Sequence, residues 1–361
     1  MALTLASSVT SVRTNVALPP ELVAAATEIG DWLLHHALGP PDDMRWISLQ
    51  PVNEVDYIVE VAQDDLYSGN AGIAIFLAYL AKQTGRQDFR SAAGSLLRHA
   101  VSNVCRSREG DAIGAFNGPL SVLYAALHGA ALWGDDGLVE PFSALRPLIK
   151  RRLRADRKYD VLGGAAGCIL VLLRWFRQNQ DQELLELATQ AGDQLIKASV
   201  SMTSGIGWPS PAEGPPLTGM SHGIAGIAWA LAELSLAVKQ EKYLDAAAAA
   251  LAYERSLFDG AMQNWADLRP ASETSAPAAR FLWAWCHGAP GIGTARLMMG
   301  RVWPEQAIGD EIAAAVRSTL SNGFGGSHSL CHGDLGNADF LVTAARDLGQ
   351  PGLLHEALRA G

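Results

Sequence analysis

The stretch Trp285-Cys286-His287-Gly288-Ala289-Pro290-Gly291-Ile292 decides how this chain is read, because its pattern returns in Leu330-Cys331-His332-Gly333-Asp334-Leu335-Gly336. In both copies a Cys-His pair opens a Gly-x-x-Gly turn that leads into an apolar, helix-like run. The same turn recurs upstream without the cysteine. Its first glycines are Gly69 (GNAG), Gly118 (GPLS, degenerate), Gly164 (GAAG), Gly223 (GIAG), Gly288 (GAPG) and Gly333 (GDLG), at intervals of 49, 46, 59, 65 and 45 residues. A period of this size marks a repeat architecture rather than a mixed fold.

Working outward from the turns, the segments that follow them are nearly all apolar at helical spacing, as in Ile73–Leu80, Ile169–Trp175, Ile227–Leu234 and Ile292–Met299. Between them lie amphipathic stretches, Glu21–Leu38, Phe89–Val104, Glu183–Lys197, Leu244–Leu257 and Ile308–Leu320. Apolar helices belong inside and amphipathic ones outside with one wet face. Strand signals are scarce, and no alternating run is closed by Asn-Gly or Asp-Gly. The expected fold is all-α, with paired inner and outer helices packed side by side and closing into a ring. Six inner helices are counted. A further outer helix begins near Leu353, and the next glycine turn falls beyond residue 361, so the ring reads as cut short. Segments 40–65 and 202–218 read as loops, the second broken by Gly205, Gly207, Pro209, Pro211 and Gly214.

Composition narrows the class. Apolar residues make up 49% and charged residues 18%, which places the chain among globular proteins. The net charge of −9, with no basic block, argues against nucleic acid or an anionic membrane surface as partner. No run approaches the ~18 apolar residues of a membrane span. The N-terminus lacks a charged region followed by an apolar core, so a cytoplasmic location is the expectation. Four cysteines are too few for a disulfide scaffold at this length.

In a repeat fold, equivalent positions line up in space. The residues just before the first glycine are Ser68, Asn117, Gly163, His222, His287 and His332; one position earlier stand Tyr67, Phe116, Leu162, Ser221, Cys286 and Cys331. Reactive side chains therefore gather in the last three repeats, at the N-termini of inner helices. Packed neighbours are ~8–10 Å apart, close enough for Cys286 and Cys331 to meet. Two thiolates and one imidazole form a preferred zinc set that leaves a fourth position open for chemistry. His332 can turn toward the thiols, and His287 can serve in its place. Cys105 and Cys168 read as inert buried thiols. His222 reads as an acid/base group or as a polar plug of the ring mouth. Asp160 reads as a partner on the same rim or as a helix cap. Trp283 and Trp285 read as core residues.

The segments SGNAGIAIFLAYL, DVLGGAAG, GMSHGIAGIAWAL, WCHGAPGIG and LCHGDLGN together resemble the lanthionine synthetase C-like cyclases, over about Leu66 to Leu341. NWADLRP and LCHGDLGN look most like the cyclase domain of class II lanthipeptide synthetases, here without the dehydratase domain that precedes it. The resemblance implies an α/α toroid of seven inner and seven outer helices, of which this chain, read as one domain over 1–361, holds six repeats and a truncated seventh. It implies zinc held by Cys286, Cys331 and His332, with His222 and Asp160 in proton transfer. A family arginine lies close before the first ligand cysteine, and Arg280 is the nearest candidate. The implied reaction adds a peptide cysteine to dehydroalanine or dehydrobutyrine, forming a thioether ring. Its partners would be a dehydrated precursor peptide and, where present, a separate dehydratase. Two other readings stand beside it: another zinc-dependent thiol-alkylating α/α barrel, and a non-catalytic peptide-binding or scaffolding ring.

Overall fold

The computed structural model describes residues 19–40, 43–51, 57–107, 110–210, 214–269 and 280–360. They fall into two compact units that meet in sequence between Ala155 and Asp156.

The first unit contains helices α1 (Pro20–His35), α2 (Asn70–Thr84), α3 (Gln87–Arg106), α4 (Pro119–Trp133) and α5 (Arg146–Ala155), with short 3-10 turns between α4 and α5. Helix α2 packs on both α3 and α4, and α1 packs on α2. Helix α4 follows the degenerate GPLS turn, and Pro119 to Ala130 are all buried. Helix α5 was not anticipated, because its RPLIKRRLRA sequence shows too few apolar positions. Its Leu148, Ile149 and Leu153 nevertheless form a buried stripe. The scarcity of strands also needs correction. Strands β1 (Ile47–Pro51) and β2 (Tyr57–Val61) pair antiparallel within the segment read as loop, in the register Ile47 to Val61 and Leu49 to Val59. The alternation was present, but no Asn-Gly or Asp-Gly closes it.

The second unit is the more regular. Inner helices α6 (Ala165–Asn179), α8 (Ile224–Val238), α10 (Ala289–Gly300) and α12 (Asp334–Leu348) pack in a row, each on the next. Each also packs on the helix that follows it, α7 (Gln182–Ala198), α9 (Glu241–Arg255), α11 (Gln306–Asn322) or α13 (Pro351–Ala360). The division of labour follows the hydropathy pattern. In α8 every residue from Ile224 to Leu234 is buried, whereas α7 buries a single stripe that includes Leu184, Leu187, Ala191 and Leu195. Two short ladders punctuate the connections, β3 (Val200–Ser201) with β4 (Ile206–Gly207), and β5 (Phe258–Asp259) with β6 (Asn264–Trp265). Strand β4 falls inside the 202–218 segment read as loop, and two bonds hold described residues of that segment: the Trp208 indole donates to Leu195 O and the Tyr253 hydroxyl to Pro216 O.

The glycines of the turns are required by close backbone approach. At Gly288, φ is +92° and an added Cβ would lie 1.8 Å from Leu282 O. At Gly291, already inside α10, a Cβ would lie 1.8 Å from Trp285 O. The turn thus folds back over the first turn of its own helix with no room for a methyl group. Gly291→Ala is therefore expected to destabilise the protein by about 3 kcal/mol or more. Gly309→Ala, in exposed α11 with open space around it, should stabilise by roughly 0.5–1 kcal/mol. Thermal or urea unfolding of the two variants checks the contrast.

Candidate metal centre and active site

Consecutive turns are tied together by a repeated hydrogen bond at one register position. Val161 and Leu162 N–H both donate to Ser221 O, at 3.2 and 3.3 Å. Met220 and Ser221 N–H both donate to Cys286 O, at 3.1 and 3.2 Å, and Cys286 N–H donates to Cys331 O at 3.0 Å. Within the first unit, Leu66 and Tyr67 do the same to Phe116 O. A carbonyl has two lone pairs, so one oxygen can hold two successive donors. The acceptors are the residues aligned from the repeat, two before each first glycine.

This ladder brings the predicted residues of the second unit to one end of the inner helices. The Cys286 N–H bond to Cys331 O brings the two cysteines together. The neighbouring Cys331 thiol and burial push the Cys286 thiol well above its usual range. His222 Nδ1 lies 2.6 Å from Asp160 Oδ2, and Asp160 Oδ1 accepts Gly163 N–H at 2.8 Å. A carboxylate can only accept, so Nδ1 carries a proton, and in the neutral ring the lone pair is on Nε2. Asp160 is buried and His222 is exposed. The helix-capping role belongs instead to Asp156, whose carboxylate accepts N–H groups from Lys158, Tyr159 and Ala165.

The two histidines that stood as alternatives occupy different environments. His287 is buried, its Nδ1 is 3.3 Å from Thr218 O, and its ring stacks 6.3 Å from that of His222. His332 is exposed beside Cys331. Among the described residues, no three His, Cys, Asp or Glu side chains converge closely enough to hold a metal ion as they stand. Two neighbouring thiols are the right donors for zinc, and an exposed imidazole on the adjoining residue is the right type for a third.

Sequence reasoning missed the groups that frame this centre. Asp267 is buried and is clamped by Arg269, with Nε 3.0 Å from Oδ1 and Nη2 2.9 Å from Oδ2. Burial raises the Asp267 carboxyl, but these bonds outweigh it and hold it below the usual range. Arg280, the sequence candidate, lies on the same carboxylate at 3.5 Å, and its carbonyl accepts Asp267 N–H. Beneath the turns, the fully buried Arg296 on α10 binds Glu254 on α9 at 2.7 Å and Glu311 on α11. Glu254 also accepts Gly219 N–H, at 3.0 Å, on the loop that leads to His222. A lone arginine within the apolar run 292–299 was the visible signal for this network. Cys168 is wholly buried, as expected of an inert thiol, and Trp283 donates to Ser318 Oγ.

The described helices can now be compared with known folds. The chain is similar in structure to nisin cyclase, with TM-score 0.66, 16% identity and 94% of this chain matched to 86% of that one. It is also similar to the unsaturated glucuronyl hydrolase from Bacillus sp. GL1, with TM-score 0.54, 12% identity, and 86% and 85% coverage. The fold class is therefore all-α, an α/α toroid of inner and outer helices. Residues 60–360 match the model of the lanthionine synthetase C-like proteins, and the chain belongs to that family. Among the described residues, no helix is long and apolar enough to cross a membrane.

Two measurements probe the framework. Arg296→Met leaves the wholly buried Glu254 without its cation, while Glu311 keeps Arg255, and an expected loss of about 3 kcal/mol would be read by urea unfolding. His287 is held neutral, its pKa lowered to about 4 first by burial and then by Arg269. A depressed pKa means the unfolded chain binds the proton more readily. Stability of the metal-free protein should therefore fall as pH drops from about 6.5 to about 4. In His287→Gln that slope should be shallower, as followed by thermal midpoints across the range.

Proposed function

We propose that this protein is a zinc-dependent lanthipeptide cyclase. The observation that carries the reading is the backbone bond that joins Cys286 to Cys331, one register step from the His222–Asp160 pair. Membership of the lanthionine synthetase C-like family supports it. So does the likeness in fold to a protein titled nisin cyclase. The wording of NWADLRP and LCHGDLGN favours kinship with the cyclase domain of class II synthetases.

In this reading Cys286, Cys331 and His332 would hold zinc. Bound there, the metal supplies positive charge that lowers the pKa of an incoming peptide thiol from ~8.5. The remaining steps fall to side chains of the chain itself. Asp160, accepting from Nδ1, fixes the His222 tautomer so that Nε2 faces the reaction with a free lone pair. Nε2 takes the proton from the peptide cysteine. The sulfur then adds to the β-carbon of a dehydroalanine or dehydrobutyrine, and Nε2 returns the proton to the α-carbon. Asp160 stabilises the imidazolium between these events. The substrate is a dehydrated precursor peptide, so a dehydratase must act first, on a separate chain or domain.

Cys286→Ala and Cys331→Ala are each expected to lose zinc and cyclisation together. His222→Ala should keep zinc while ring formation slows by ~10²–10⁴-fold. Metal analysis and loss of free thiol on a dehydrated peptide are the readouts. Stoichiometric zinc in a Cys286→Ala/Cys331→Ala double variant would refute the centre.

A further inference from the structure

Asn337 stands on an inner helix among apolar neighbours. The buried residues around it on α12 include Ala338, Phe340 and Leu341, and Asn337 itself is 1% exposed. Its amide nitrogen donates to Trp283 O at 2.7 Å and to Gly323 O at 2.6 Å. Carbonyls only accept, so both bonds belong to Nδ2. The side-chain oxygen is buried and meets no hydrogen-bond donor among the described residues. A buried acceptor without a donor costs folding free energy, so the purpose of the residue lies in the two bonds that it does make.

Those bonds reach both cysteine-bearing connections. Trp283 belongs to the segment that runs into Cys286, and Gly323 opens the segment that runs from α11 to Cys331. One nitrogen holding two acceptors keeps the carbonyls within about 5 Å of each other. A second link joins the same connections at the cysteines themselves, from Cys286 N–H to Cys331 O at 3.0 Å. A single bond is a hinge, whereas two set spacing and angle together. Each connection is also stiffened separately. The Ser329 hydroxyl accepts N–H groups from Cys331 and His332, both at 3.1 Å, and the Trp283 indole donates to Ser318 Oγ at 2.8 Å. Tetrahedral coordination by two thiolates needs a defined sulfur separation. Residues that orient ligands from behind set metal affinity nearly as strongly as the ligands do.

We propose that Asn337 is a positioning residue of the two-cysteine centre, holding the turns of Cys286 and Cys331 at the spacing that a zinc ion needs. This rests on the zinc assignment made above and not on the thioether chemistry.

The test uses the full chain, stripped of metal and titrated with zinc against a chromophoric chelator. Asn337→Leu, similar in volume but unable to donate, should raise the zinc Kd about 10–100-fold. Asn337→Ser, too short to span both carbonyls, should do the same. Trp208→Phe removes another buried N–H to carbonyl bond, the one to Leu195 O on α7. It should lower the thermal midpoint of the metal-free chain yet leave the zinc Kd unchanged, because a folded chain keeps its intrinsic affinity when only stability is lost. Wild-type affinity in the folded Leu and Ser variants overturns the assignment. So does equal weakening in Trp208→Phe, since affinity then follows stability. Failure of both Asn337 variants to fold overturns it as well, because Asn337 is then structural. A wild-type chain that takes up no zinc sinks the centre and the cyclase reading together with this inference. A wild type that binds zinc, with indifferent Asn337 variants, sinks this inference alone.

Discussion

The candidate site depends on a backbone carbonyl shared between neighbouring turns. Helix packing alone would leave the inner helices of the second unit free to slide by part of a turn along their axes. The bonds from Met220 and Ser221 to Cys286 O, and from Cys286 to Cys331 O, remove that freedom at the end where the reactive residues sit. Because the acceptor is the cysteine's own carbonyl, the ladder positions the residue whose thiol has to meet its neighbour. The glycines make this possible: only without a Cβ at 288 and 291 can the turn lie flat on its helix.

Below the ladder, a charged network does what apolar packing cannot. Arg296 with Glu254 and Glu311 is a weak source of stability, since desolvating such groups costs about as much as their attraction returns. What it adds is specificity of direction. Glu254 has one oxygen on Arg296 and the other on Gly219 N–H, so the loop leading to His222 is held against α9 and α10 by a bond with strict geometry. A hydrophobic contact at that point would tolerate shifts that the His222–Asp160 hydrogen bond does not.

Legibility in the sequence followed the repeat. Inner and outer helices, the aligned thiols and the His222 register were readable because each is an instance of a pattern stated several times. Asp267 and Arg269 were visible only as part of the NWADLRP wording, with no role readable, because they lie on an irregular connection between a short ladder and a cysteine turn, where no second copy exists to compare. Arg280 was the nearer candidate by count, yet it and Arg269 share one carboxylate. The pairing of His222 with Asp160 was open in the sequence, since an aspartate at that spacing reads equally well as a cap. The neighbouring Asp156 takes that duty and leaves Asp160 for the imidazole. The β1–β2 hairpin escaped for a simpler reason, the absence of a recognisable turn pair.

The members of the site share one arrangement, a buried group holding a more exposed one. Asp160 is buried and His222 exposed; Asp267 is wholly buried and Arg269 partly open; Cys286 is buried and Cys331 less so. In each pair the inner member fixes geometry and the outer member faces what arrives. An enclosed pocket would suit a small molecule, which can be surrounded. On the proposed cyclase reading, a peptide that bends to bring its own cysteine onto its own dehydroresidue cannot be enclosed, because its chain has to enter and leave. Reactive atoms then belong at the rim, where rigidity has to come from beneath. That is the direction in which the carboxylates, the carbonyl ladder and the Arg296 network all supply it.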